Sequence, residues 1–164
     1  MIRLLFVLSL LFSSRAHAAV DVCFTPGSDC TGVVAKQLNA AKVSVFVNAY
    51  SFTSKPIENA LVAAKKRGVQ VEVILDRSNV GSKYSGLAMM IEAKIPTTID
   101  ESHAIAHSKI MIIDASVVLT GSFNFTSAAQ KSNAENLLVI KDTKIAALYL
   151  LNWKNHAAHA KPAP

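Results

Sequence analysis

Short runs of β-branched and aliphatic residues alternate along this chain with stretches whose apolar residues recur every three or four positions, and that alternation points to an α/β class. Strand-like runs occupy residues 20–24, 43–49, 69–75, 95–99, 105–113 and 137–140, with a further run starting at Val117-Val118-Leu119. Between them, residues 31–41 place Val34, Leu38 and Ala41 on one helical stripe. Residues 57–67 do the same with Ile57, Leu61 and Ala64, starting behind Pro56 and stopping at Gly68. A third helix is expected over residues 81–93, with Leu87, Met90 and Ile91 turned inward. The last begins at Asp142 and runs through Leu148, Leu151 and Trp153, leaving residues 161–164 as a frayed tail. At 164 residues the chain suits one domain with a proper core, an α/β sandwich whose mixed central sheet is flanked by helices on both faces.

The N-terminus has a different character. Arg3 precedes an apolar run over residues 4–12, and Ala16-His17-Ala18 comes next, the three zones of a secretory signal peptide with cleavage expected after Ala18. That run is too short to span a bilayer, and no other segment approaches about 18 uninterrupted apolar residues, so a soluble periplasmic or secreted product is expected. Removal of residues 1–18 deletes Arg3 and Arg15 and no acid, lowering the formal charge from +6 by two to +4. A basic chain fits a polyanionic partner, but also many exported proteins without one. Cys23 and Cys30 are the only cysteines, and in an exported chain such a close pair reads as a structural disulfide.

The chemistry concentrates in His107-Ser108-Lys109-Ile110-Met111-Ile112-Ile113-Asp114. On a strand, His107 and Lys109 share a face, and Asp114-Ala115-Ser116 reads as the turn of a hairpin. His-x-Lys alone carries little weight, since His159-Ala160-Lys161 spells it again in the tail. The first copy is distinguished by its downstream neighbours, Thr120-Gly121-Ser122-Phe123-Asn124-Phe125-Thr126 and then Glu135 on another strand-like segment. From the residues alone, Asp114 is as readily an Asx-type turn as a catalytic group, and Glu135 could be an exposed strand residue. Tyr50 and Phe52 stand just past a strand's carboxyl end, where α/β folds place their sites, and either could be core instead. Phosphodiester cleavage needs fixed donors for the phosphoryl oxygens, which Lys109 and Asn124 can supply. It also needs a nucleophile better than water, which a partly neutral imidazole with a pKa of about 6.5 provides.

His-x-Lys-x4-Asp, then Gly-Ser-x-Asn and a downstream Glu, resembles the signature of the phospholipase D superfamily, and within it the small, single-motif periplasmic endonucleases of bacteria. Ala49-Tyr50-Ser51-Phe52-Thr53 and the segment from Arg67 to Asp76 are also similar to that superfamily, so the likeness covers nearly the whole chain after residue 18. The resemblance implies a catalytic set of His107, Lys109, Asp114 and Glu135, with Lys109, Ser122 and Asn124 holding the substrate phosphate. It implies further that His107 forms a covalent phosphohistidine, Glu135 fixes the imidazole tautomer, and Asp114 supports the site. One motif per chain implies a homodimer whose two His107 side chains meet at a shared site, one attacking and one protonating the leaving group.

The expected activity needs no cofactor and no metal. His103 and His107, four apart on a strand, would stand about 13 Å apart, too far to share a Zn2+ at about 2 Å from each. Nucleic acid, DNA or RNA, is the expected substrate and partner, cut with little sequence selectivity and without stable membrane association. A phospholipase D acting on phospholipid is the alternative, and a non-catalytic nucleic-acid-binding relative a more distant one.

Overall fold

The alternation closes into a single eight-stranded sheet in a computed structural model of the chain. Residues 19–164 are described, so the export segment expected over residues 1–18 lies outside the described residues. In chain order the elements are β1 (Ala19–Thr25), α1 (Cys30–Ala40), β2 (Ser44–Ala49), α2 (Lys55–Lys66), β3 (Gln70–Asp76), α3 (Leu87–Glu92), β4 (Thr97–Asp100), β5 (Lys109–Ile113), β6 (Val117–Gly121), α4 (Ser127–Lys131), β7 (Glu135–Lys141), α5 (Thr143–Ala157) and β8 (Lys161–Pro162). The sheet order is β1-β7-β6-β5-β2-β3-β4-β8. β2, β3 and β4 run parallel, as helical crossovers require, while every other pairing is antiparallel.

Both faces are covered. Val34, Leu38, Ile57, Leu61 and Ala64 of α1 and α2 are fully buried against Val45, Val47, Val71, Met111, Leu119, Leu137 and Val139. On the other face α5 lays Ala146 and Trp153 over Ile74, Ile112 and Val118. Trp153 donates its indole N–H to the Val47 carbonyl at 2.9 Å, satisfying its one polar atom in the core. The Arg67 guanidinium donates to the Leu38 carbonyl at 2.9 Å, closing the open end of α1. Cys23 and Cys30 are bonded, joining β1 to the first residue of α1.

Four expectations change. The third helix shrinks to α3 and leaves Ile91 half exposed, because the preceding loop takes its own hydrogen bonds. Asn79 Nδ2 donates to the Tyr50 carbonyl at 2.6 Å, the Ser85 hydroxyl to Asn79 Oδ1 at 2.9 Å, and Gly86 N to the Phe52 carbonyl at 2.8 Å. Residues 105–108 lie outside the strand, which starts at Lys109; Ala106 N is held instead by the Asp76 carboxylate at 2.7 Å. A short α4, capped by the Thr126 hydroxyl, comes after β6 where no helical period is visible. The tail is paired: β8 joins the edge of β4, and Ala163 N donates to the Thr97 carbonyl at 3.0 Å.

Asp114 sits at the β5–β6 turn with φ 51°, a left-handed conformation that Asp tolerates better than most residues. Its backbone N–H donates to the Ser44 carbonyl, and its carboxylate accepts from the amides of Lys42, Val43 and Ser44 at 2.9, 2.7 and 2.9 Å. Burial disfavours the ionised carboxylate, but the three amides outweigh it and hold its pKa below the ordinary value. Grouping Asp114 with the catalytic residues therefore gives way to its other reading: it clamps the start of β2, about 16 Å along β5 from Lys109.

Replacing Asp114 by Asn keeps the left-handed turn but removes the anion that three amides share. D114N should lose about 2 kcal/mol of unfolding free energy in urea titration at neutral pH. A group with a depressed folded-state pKa contributes its stability above the unfolded pKa and loses it as pH falls through the folded one. The difference between wild type and D114N should accordingly shrink below about pH 4. A constant difference down to about pH 2 would count against the clamp.

Candidate active site

Ala49 ends β2 beside Lys109, and Tyr50 N donates to the Ser108 carbonyl at 2.8 Å just beyond. That bond extends the β2–β5 pairing past its last ladder pair and fixes the segment bearing His107. Lys109 is buried while His107 is exposed. The Lys109 ammonium donates to the His107 carbonyl at 2.8 Å and stands 5.2 Å from the centroid of the Tyr50 ring. The His107 ring meets the same tyrosine at 4.7 Å, tilted by 52°. Tyr50 is thus a shared platform, supplying a π face to the cation and a wall to the imidazole. Phe52, two residues on, is fully buried core, so the two aromatics divide between site and core.

Lys109 shares its strand face with Met111 and Ile113, and Glu135 shares that same face of the sheet with Leu137 and Val139. Burial pulls the Lys109 ammonium below its ordinary pKa, and the negative charge of Glu135 pushes it back up. Glu135 accepts a hydrogen bond from Asn133 Nδ2 at 3.0 Å. The imidazole-orienting contact expected between Glu135 and His107 is not among the hydrogen bonds of the described residues.

The strand between them ends in a way that keeps this face open. Gly121 has φ 140°, and a Cβ there would collide with the Asn136 carbonyl oxygen. Without one, Ser122 N and Phe123 N can both donate to that oxygen at 3.1 Å. The Ser122 hydroxyl accepts from Asn136 N at 3.0 Å and keeps its own proton for another acceptor. Phe123 and Phe125 are fully buried, so alternation turns the Asn124 side chain the opposite way. Its Oδ1, an acceptor, is buried without a partner, which costs stability.

The structure brings His107, Lys109 and Glu135 to one end of β5 and β7, sets Ser122 and Asn124 on the segment leaving β6, and leaves Asp114 at the far end. The arrangement offers an exposed imidazole, a buried cation behind it, and amide and hydroxyl donors, the needs of an anion attacked by a ring nitrogen. The loop at residues 77–86 adds what the sequence pattern did not show: tied to Tyr50 through Asn79, it carries Tyr84, largely exposed, with the Lys83 ammonium 5.8 Å from its ring centroid. Neither residue belongs to a spacing motif, and their placement depends on bonds between loops.

The family model described as cardiolipin synthase, PLD-like domain matches residues 34–156. A protein of Rickettsia bellii named phospholipase D is 47% identical over 146 residues, covering 89% of this chain and 73% of that relative. Among solved structures, Nuc from Salmonella typhimurium, a phospholipase D family member, superposes with a TM-score of 0.84 at 36% identity, covering 90% of this chain and 99% of that one. NucT from Helicobacter pylori superposes with a TM-score of 0.82 at 23% identity, covering 90% of this chain and all of that one, a likeness of fold.

Glu135→Gln removes the charge that opposes the desolvation of Lys109. The Lys109 ammonium should then titrate at lower pH than in the wild type, measured by NMR of its side chain. An unchanged midpoint would mean that Glu135 does not act on the lysine.

Proposed function

The chain belongs to the phospholipase D-like family and is a phosphodiester hydrolase, and on that premise we propose that it is an endonuclease of low sequence selectivity acting on DNA or RNA. The observation that carries this reading is the open placement of His107, exposed at the sheet end with the buried Lys109 cation directly behind it. A polymer backbone can cross such a surface. The Lys83–Tyr84 loop beside Tyr50 supplies a cation for phosphate and a ring on which a base can stack.

The proposed reaction has two displacements. A His107 ring nitrogen attacks phosphorus, an N–P bond forms, and the P–O bond to the leaving alkoxide breaks. Lys109, Asn124 and the Ser122 hydroxyl hold the phosphoryl oxygens as charge builds on them. The leaving oxygen takes a proton from a second imidazole, which then removes a proton from the water that attacks the phosphohistidine, restoring both rings. We assign the second imidazole to the partner subunit's His107, and the orienting of one ring to Glu135. No step draws on a metal ion.

Support for a dimer comes from the open edge of the sheet. Val20, Val22 and Phe24 are exposed on one face of β1, and Phe24 pairs with Asn136, whose amide holds Ser122. An apolar strip thus lies along the sheet margin, on the face opposite Lys109 and Glu135, a surface that a second copy of the chain can cover around a two-fold axis.

The name of the Rickettsia relative favours a second reading, hydrolysis of a phospholipid head group. Plasmid DNA incubated with the protein in excess EDTA should be cut, and the H107A variant should leave it intact. Phosphatidylcholine vesicles hydrolysed while plasmid stays whole would replace the nuclease reading with the lipid one. Subunits exchanged in equal amounts between wild type and H107A should retain about one quarter of wild-type activity if each site needs both chains, and about one half if each chain works alone.

A further inference from the structure

Three of the four histidines among the described residues gather away from His107. His156 lies in the last turn of α5 and His159 three residues on, a spacing that brings both to one side of the helix end. His103 belongs to the segment between β4 and His107. All three face Asp100, the last residue of β4, whose carboxylate is fully buried. His156 Nδ1 is 2.8 Å from Asp100 Oδ2, His103 Nδ1 3.0 Å and His159 Nε2 3.3 Å. The rings pack against one another with centroids 5.0, 5.2 and 5.5 Å apart. One ligand atom from each of the four residues lies within 4.8 Å of all the others.

We propose that Asp100, His103, His156 and His159 form a binding site for one Zn2+ ion, separate from the reaction site. The donor set is three imidazole nitrogens and one carboxylate oxygen, which suits zinc and discriminates against Mg2+ and Ca2+, ions that prefer all-oxygen shells. Zn–N and Zn–O bonds of about 2.1 Å in a tetrahedron place ligand atoms about 3.4 Å apart, so rotations of about an ångström draw the present cluster onto the ion. In the metal-free arrangement three imidazole edges crowd one carboxylate oxygen, and each must present an N–H to it. The ion substitutes for those protons and leaves a net charge of +1 from Zn2+ and Asp100. Four protein ligands fill a tetrahedral shell with no place for water or substrate, which makes the site structural and not catalytic.

The position gives the ion a mechanical task. Asp100 is held in the sheet, His156 and His159 end the helix that covers one face, and His103 begins the run that reaches His107 four residues later. The same run is already held by Asp76 at Ala106 and by Arg77, which donates to the Ala104 carbonyl at 3.0 Å. Zinc therefore fixes the segment ahead of His107 to the helix end without touching the reaction.

The test uses the protein stripped with EDTA and dialysed, then titrated with ZnCl2 against a chromophoric chelator. The expected result is one tightly held equivalent per chain, no comparable uptake of Mg2+, and a Tm raised by about 5 to 10 °C when free zinc exceeds its Kd a hundredfold. His103→Gln and His159→Gln, both at accessible positions, should fold, shown by unchanged circular dichroism. Each should weaken zinc uptake by tenfold or more and abolish the Tm shift, while H107A should bind zinc as wild type does. Uptake unaffected by either Gln variant, uptake lost in H107A alone, or no uptake at all would overturn the proposal. None of these readouts depends on which phosphodiester the protein cleaves.

Discussion

Strand β2 is where the two kinds of sheet meet, and the site depends on how it is pinned. It runs parallel to β3 on one side and antiparallel to β5 on the other, joining the crossover half of the molecule to the hairpin half. Polar anchors fix both ends of the β2–β5 pair. Asp114 gathers the three amides at the start of β2, and Tyr50 N takes the Ser108 carbonyl just past its end. The paired positions between the anchors set the register, and a slip of one residue would turn Lys109 from the site to the opposite face.

Desolvation of Lys109 is the cost of that placement. An ammonium surrounded by protein weakens as a base and strengthens as an electrostatic partner, since a lower effective dielectric magnifies its pull on an anion. Glu135 keeps the balance toward the charged form, while the His107 carbonyl and the Tyr50 ring direct the head group. The cation is thus organised before any phosphate arrives, with little reorientation left for the reacting complex.

Much of this was legible in the sequence because it is periodic. The stripe of Val34 and Leu38, the Pro56 start and Gly68 stop of α2, and the alternation through Lys109, Met111 and Ile113 all come from local geometry. The grouping of His107 and Lys109 with Gly121-Ser122-x-Asn124 came instead from resemblance to the phospholipase D superfamily, since His107 lies outside the strand that begins at Lys109. Contacts between distant segments escaped. Asp114 looks alike as an Asx turn and as a site residue until Lys42, Val43 and Ser44 are folded onto it. The Asn79–Tyr50 bond that shortens α3 joins two loops. The histidine cluster left a faint trace in Asp100-x-x-His103 and His156-x-x-His159, but only the return of α5 over the sheet to β4 brings the two halves together. His103 finds its neighbours across that return and not in His107, four residues along its own segment.

The tail has a bearing on how the protein behaves in a crowd of its own kind. β4 would otherwise present a bare row of donors and acceptors, the template on which unrelated strands assemble into aggregates. Lys161 and Pro162 occupy that row, and the new margin they create is a poor template in turn: it is two residues long, one of them has no N–H, and the other carries a charge paired with Glu101. Lys161 and Pro162 thus terminate that side of the sheet chemically as well as spatially, and among the described residues β1 is the margin left for a partner.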